Sequence, residues 1–273
     1  MTLKIKMGEI EFYEGKRSFF GNKRGQLTLF IILGIALLAV VFLLFFRTTN
    51  FGDLFLGKSP IEQIQSCMQD ALQQGITLVE AQGGSVTPSL YYLYNDKKIS
   101  YICYTEDSFE QCVMQNGILP TSIELSIKGF IQPKIETCLE NVKKSLENEG
   151  NTVTHKKLNV SVSLAPGEVV STINLDLVIE KNDARETYQT ITSRLSSSLY
   201  ELAIISGEIA NSEATYGDSD ITRLMYTHQD LKIEKIKQGD ETKIYIITNR
   251  DNNEQFYFAI KSVAIPPGWI EVE

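Results

Sequence analysis

The chain has 273 residues, 43% of them apolar, and a net charge of −8, enough for one or two domains with a real core. The charge is unevenly placed: residues 1–25 carry six Lys or Arg against three acids, while the remainder carries 20 basic and 31 acidic residues. An acidic body lacks the cationic face that nucleic acid requires, so nucleic acid is not an expected partner.

From Leu27 to Phe46 runs LTLFIILGIALLAVVFLLFF, 20 residues without a charge and with Thr28 as the only hydroxyl. As a helix this run rises about 30 Å, the thickness of a bilayer's hydrocarbon core. It has no polar stripe to face water, which separates it from the buried helix of a soluble core. Lys23 and Arg24 abut its N-terminal side, with Lys16 and Arg17 just behind, whereas Arg47 stands alone beyond it. Positive flanks stay in the cytoplasm, so the expected topology is a single pass with the N-terminus inside and residues 47–273 outside. A cleaved secretory signal would have an apolar region of about 7–15 residues and a small-residue cut site. Phe45-Phe46-Arg47-Thr48 offers no such site.

The junction Lys23-Arg24-Gly25-Gln26-Leu27-Thr28-Leu29-Phe30 resembles the class III signal peptides of archaeal type IV pilin-like proteins. There a basic pair and a Gly precede the cut, and the mature chain begins with Gln and an apolar helix. The resemblance implies cleavage between Gly25 and Gln26 by a prepilin-type peptidase, and self-assembly through Leu27–Phe46. It departs from bacterial pilins at Phe30, where they carry an acid. A second stretch, Ile64-Gln65-Ser66-Cys67-Met68 followed by Ala81-Gln82-Gly83-Gly84, is similar to a layout in uncharacterised membrane-anchored proteins of small-genome archaea. It implies an address and no activity.

The expected divisions are a leader at 1–25, a membrane helix at 26–47, a linker at 48–59, and two α+β subdomains at 60–150 and 151–273. Gly52 and Gly57 break the linker. Ser59 and Pro60 then suit an N-cap and first helical turn. A helix through about Val79 carries Ile61, Ile64, Met68, Leu72 and Val79 near one face, and Gln82-Gly83-Gly84-Ser85 ends it. Residues 86–105 read as extended, with Tyr91, Tyr92 and Tyr94 as strand packing. A second helix covers about 121–147, with Ile131, Ile135, Leu139, Val142 and Leu146 at helical spacing and Pro133 as a kink or split.

Leu158, Val160, Val162 and Leu164 alternate, Ala165-Pro166-Gly167-Glu168 turns, and Ile173 to Ile179 alternates again, the pattern of a hairpin. Ile191, Leu195, Leu199, Leu202, Ile205 and Ile209 predict one long amphipathic helix from about Asp183 to Asn211. That stripe suits packing on its own sheet or a seam between subunits. Asp218-Ser219-Asp220 reads as a cap for a helix at Ile221. Strands at about 231–237, 242–248 and 255–263 close an antiparallel meander, and Ile265-Pro266-Pro267-Gly268-Trp269 follows as an extended tail. The fold class is α+β, helices on antiparallel sheet.

Four cysteines, Cys67, Cys103, Cys112 and Cys138, permit three connectivities, and outside the membrane they oxidise. Cys67 and Cys138 sit in an echoed apolar-x-x-Cys-apolar pattern on two predicted helices, and Cys103 and Cys112 are close enough to close a small loop. Those pairings are the expected ones. Zinc is disfavoured, since there are no Cys-x-x-Cys pairs and the two histidines, His155 and His228, lie far from the cysteines. No cofactor is expected. The sequence contains no G-x-S-x-G, His-Glu-x-x-His or P-loop. Asn159-Val160-Ser161 fits the glycan acceptor rule, making Asn159 a modification candidate. Two functional classes follow: a structural or adhesive membrane-anchored surface protein, or an anchored envelope enzyme or ligand-binding protein.

Overall fold

The computed structural model describes residues 32–38, 40, 59–107, 110–181 and 184–262. The chain divides into two compact units, Met1–Gly57 and Lys58–Glu273. In the first, residues 32–38 and 40 are helical and their large apolar side chains are exposed. Among the described residues no helix is long and apolar enough to cross a membrane. Most of the Leu27–Phe46 run lies outside them, as do Gly25, Gln26 and the Ile265–Trp269 tail.

In the second unit the chain enters α1 (Pro60–Ala81) through a reciprocal cap. Ser59 Oγ accepts the Glu62 N–H at 3.2 Å, and Glu62 Oε2 accepts the Ser59 N–H at 2.9 Å. Two of the helix's otherwise unpaired donors are thereby satisfied. Ile64, Met68, Leu72 and Val79 form its buried face, with Ile61 half-buried beside them. Helix α2 (Leu119–Asn148) is continuous through Pro133, and Ile123, Ile127, Ile131, Ile135, Leu139, Val142 and Leu146 are its buried stripe. The helix is therefore not split at Pro133, and the 3.6-residue register of its buried stripe runs through it.

Six strands make the first sheet. Its order is β1 (Tyr91–Tyr94), β2 (Lys97–Tyr104), β10 (Gln255–Lys261), β9 (Thr242–Asn249) and β8 (Leu231–Lys237), with β3 (Val113–Met114) paired to the end of β2. All pairs are antiparallel except β10 with β2. The second sheet is built on a long hairpin of β6 (Glu168–Lys181) and β7 (Ala184–Ser196). β5 (Asn159–Ala165) and β4 (Thr152–Thr154) lie end to end against the other edge of β6. Helices α1 and α2 pack on each other; α1 also touches β7 and β10, and α2 touches β4 and β5. Helix α3 (Leu199–Tyr216) reaches both sheets, and short α4 (Ile221–Thr227) lies against β8. The fold is α+β, rich in antiparallel sheet.

Two expectations are corrected. The long helix over 183–211 is instead strand β7 followed by α3. Ile191, Leu195 and Leu199 are four apart, a spacing that fits both periods. Buried Ser193 and half-buried Leu195 beside Ile191 show that every second residue faces inward, and Thr187, Thr190 and Thr192 are β-branched, which favours extended backbone. Nor does the chain divide near residue 150. Glu149–Asn151 only ends α2, and one apolar cluster runs from Ile64 through Leu146 and Val153 to Ile260.

Candidate functional site

Buried ionisable groups converge where α3 ends on the inner face of β9. The buried stripe of α3, Leu202, Ser206, Ile209 and Glu213, carries a carboxylate into the core because Glu213 follows Ile209 by four residues. On β9, Lys243, Tyr245 and Ile247 share a face by strand alternation. Lys243 Nζ donates to Glu213 Oε2 at 2.5 Å and to the Gly217 carbonyl at 2.6 Å, and lies 3.6 Å from Asp218 Oδ1. The Tyr245 hydroxyl donates to Glu213 Oε1, and Ser262 Oγ donates to the Glu213 carbonyl at 2.9 Å. Lys235 Nζ adds bonds of 2.7 Å to both Asp218 Oδ1 and the Ser219 carbonyl. Two ammonium groups thus meet the negative end of α3.

Burial raises the Glu213 carboxyl above its ordinary range, against the lowering effect of Lys243 and Tyr245. Burial, then the Glu213 charge, pushes the Tyr245 phenol upward. At Asp218 burial also acts to raise the carboxyl, but the Lys235 hydrogen bond and the two lysine charges outweigh it and hold it low. An open cleft of about 270 Å³ adjoins the cluster, lined by Gly217, Asp218, Lys237, Gln238, Glu241, Lys243 and Ser262. Glu241 sits there with φ of 72°, and among the described residues its buried Oε2 has no hydrogen-bond partner. Glu213 is fully shielded, and the Lys243 ammonium is engaged by Glu213 and the Gly217 carbonyl. Together they clamp helix to sheet.

A second carboxylate pair joins three elements. Glu254, before β10, accepts from Ser197 Oγ at 3.3 Å and from the Ser198 N–H at the start of α3. Glu80, at the end of α1, is pushed up to about 8 by burial and by the Glu254 charge. Among the described residues no donor reaches the buried Glu80 Oε1.

The cysteines meet as Cys67–Cys138 between α1 and α2, with Cα atoms 6.4 Å apart, and as Cys103–Cys112 beside β2, 5.3 Å apart. Asn159 is exposed at the first position of β5, opposite Asn174. Asp220 caps α4, accepting the Thr222 and Arg223 N–H groups at 3.1 Å each. Among the described residues no group of His, Cys, Asp or Glu is arranged to hold a metal ion. His155 pairs instead with Glu140 at 3.2 Å. Sequence reading did not single out Glu213, Lys243, Glu80 or Glu254. For the first two a signal exists: an acid on the apolar face of a helix and a lysine within an otherwise apolar central strand. The sequence matches no family model, and no curated protein or solved structure matches it.

Proposed function

We propose that this is a single-pass membrane-anchored surface protein, held by Leu27–Phe46 with a cytoplasmic N-terminus, whose α+β head serves a structural or adhesive role outside the membrane. The observation that carries this reading is the pairing of all four cysteines, Cys67 with Cys138 and Cys103 with Cys112. Such bridges persist in oxidising compartments and are rare in the cytosol. The basic residues before the apolar run agree, since they orient the span with the head outside. The lipid bilayer is then the first partner. A prepilin-type peptidase cutting between Gly25 and Gln26, and self-assembly through the freed helix, complete the pilin-like form of the reading.

Protease added to spheroplasts should digest residues beyond Arg47 and spare the N-terminal segment; a protected head would overturn the topology. Intact-mass measurement of the native protein decides the processing, with loss of residues 1–25 expected. A chain that keeps Met1 is a plain signal anchor, and the pilin-like form is then dropped. One observation favours a ligand-binding role instead: Glu241 Oε2, on the wall of the cleft beside Lys237, has no hydrogen-bond partner among the described residues. Calorimetry with simple cationic and amine ligands tests it, and loss of any binding in Glu241→Gln would assign the cleft.

A further inference from the structure

Two opposite charges on the wall of the cleft beside α3 are left without partners. Lys237 ends β8 directly opposite Lys243 of β9, so the two side chains share one face of the sheet. Lys243 is held by Glu213 and the Gly217 carbonyl, and Asp218 by Lys235. Lys237 is exposed, and among the described residues nothing pairs with its ammonium. Glu241 is its counterpart. Among the described residues no cation pairs with it and neither of its oxygens receives a hydrogen bond; Oε2 is sealed from water, so Oε1 is the oxygen left for a ligand.

The turn that carries Glu241 is locally unfavourable. The Gln238 N–H donates to the Thr242 carbonyl at 2.7 Å, and the Thr242 N–H to Asp240 Oδ1 at 3.2 Å. Between them Glu241 has φ of 72°, a region that a glycine occupies more easily than a residue with a Cβ. A carboxylate stands there instead, with one oxygen buried and no donor among the described residues. Each of these features weakens a fold, and such local strain is concentrated where ligands are held.

Resting on the ligand-binding reading of this cleft, we propose that it takes a small free α-amino acid as the zwitterion, with the ammonium on Glu241 Oε1 and the carboxylate on Lys237. Asp218 and Lys243 are already compensated, so the wall presents one free charge of each sign. A ligand with a single charge would leave the other pole unmatched. Among the described residues Lys237 and Glu241 form no ion pair with each other, so the ligand has none to break. Gln238 supplies further donors: its Oε1 accepts the Tyr92 hydroxyl at 3.4 Å, which leaves the side-chain N–H groups for a carboxylate. The flexible stem of Lys237 lets its ammonium follow a carboxylate one carbon away from the amine. A volume of about 270 Å³ is at the small end of ligand sites, which begin near about 300 Å³, and suits an amino acid with a short side chain.

Calorimetry on the full-length chain in detergent tests this with alanine, ethylamine and propionate, the last two being alanine without one of its poles. Alanine should bind at one site per chain, and each single-charge compound about tenfold more weakly or not at all. Glu241→Gln, which keeps the shape and removes the charge, should weaken alanine about tenfold and leave propionate unchanged. Lys237→Gln should weaken alanine by a similar factor and leave ethylamine unchanged. Lys232→Gln, on the same strand but outside the cleft, should alter none of them. Melting temperatures within a degree or two of the native chain show that the variants are folded. Ethylamine binding as tightly as alanine overturns the proposal while keeping a cation-binding cleft. So does a variant that weakens all three compounds alike, since that is a structural effect. No binding of any of the three overturns both the proposal and the ligand-binding reading of the cleft, and leaves the membrane anchor to its own protease test.

Discussion

Lys243 Nζ stands 2.5 Å from Glu213 Oε2, with Glu213 fully enclosed and the Lys243 side chain 8% exposed. Isolated charges cost several kcal/mol at such a place, and the pair is tolerated because each oxygen of Glu213 has a donor. Lys243→Met should therefore destabilise the protein by about 3–5 kcal/mol, by leaving a buried carboxylate short of a partner. Lys243→Met with Glu213→Leu should recover a large part of that loss. Thermal unfolding of the three chains in one detergent checks this, and equal losses in the single and double variants would contradict it.

Glu80 gives the stability a pH dependence of definite sign. Its carboxyl is raised from the ordinary 4.5 to about 8, chiefly by burial and secondarily by Glu254. The folded protein holds a proton there that the unfolded chain releases near 4.5. The stabilisation is complete below that value and is lost as pH rises through about 8. The melting temperature should fall across this window. Glu80→Gln, which mimics the protonated form, should flatten the slope and add about 1–3 kcal/mol at the alkaline end. A slope unchanged by the substitution would place its origin elsewhere.

The elements that could be read from the sequence are those whose pattern admits one period. Helix α2 has apolar residues at three- and four-residue intervals from Ile123 to Leu146, and β5 with β6 alternates about a Pro-Gly turn. The α1 cap was equally plain, since Ser59, Pro60 and Glu62 each have one local use there. The sequence of β7 reads equally well as helix because its apolar residues fall at intervals of four, where helix and strand agree. β3, two residues long, is held by pairing with β2 and leaves no periodic trace. The candidate sites follow the same division. The Cys67–Cys138 pair could be argued from the helices that carry it and the Cys103–Cys112 pair from the shortness of its loop, whereas Glu80 and Glu254 lie 174 positions apart and are joined only by the packing of α1, α3 and the β9–β10 hairpin.

The two disulfides should contribute unequally. Cys67–Cys138 closes a sequence separation of 71 and Cys103–Cys112 one of 9. In the chain-entropy account the longer loop restrains the unfolded state more, by about 1–2 kcal/mol. Replacing Cys67 and Cys138 together by Ser should lower stability by about 2–4 kcal/mol, and by more than replacing Cys103 and Cys112 by Ala. Denaturant midpoints of the two double variants measure the difference. A larger loss at the short loop would mean that packing around buried Cys103 outweighs chain entropy. Peptide mapping without reductant should recover each linked pair, and four alkylatable thiols in the native protein would refute both bridges.

Gly83 should be the least replaceable residue of the turn after α1. Its φ is 72°, a region that side chains with a Cβ rarely occupy, and the added Cβ would lie 2.9 Å from the Ser100 carbonyl oxygen and 3.1 Å from the Ser100 nitrogen. Those atoms are backbone of β2 and cannot swing aside. Ser100 is also fixed by donating its N–H to the Gln82 carbonyl at 3.1 Å, the bond that brings the end of α1 onto the first sheet. An alanine must therefore either adopt strained backbone or push the helix end from the strand, and about 2 kcal/mol or more should be lost. Gly150→Ala is the control. Gly150 has φ of 84°, but its added Cβ meets nothing within 4 Å, so only the conformational part, about 1 kcal/mol, should appear. Equal losses at the two positions would show that close approach to Ser100 contributes nothing. A larger loss at Gly83, with faster amide exchange at Ser100, would locate the junction between α1 and β2 at this contact.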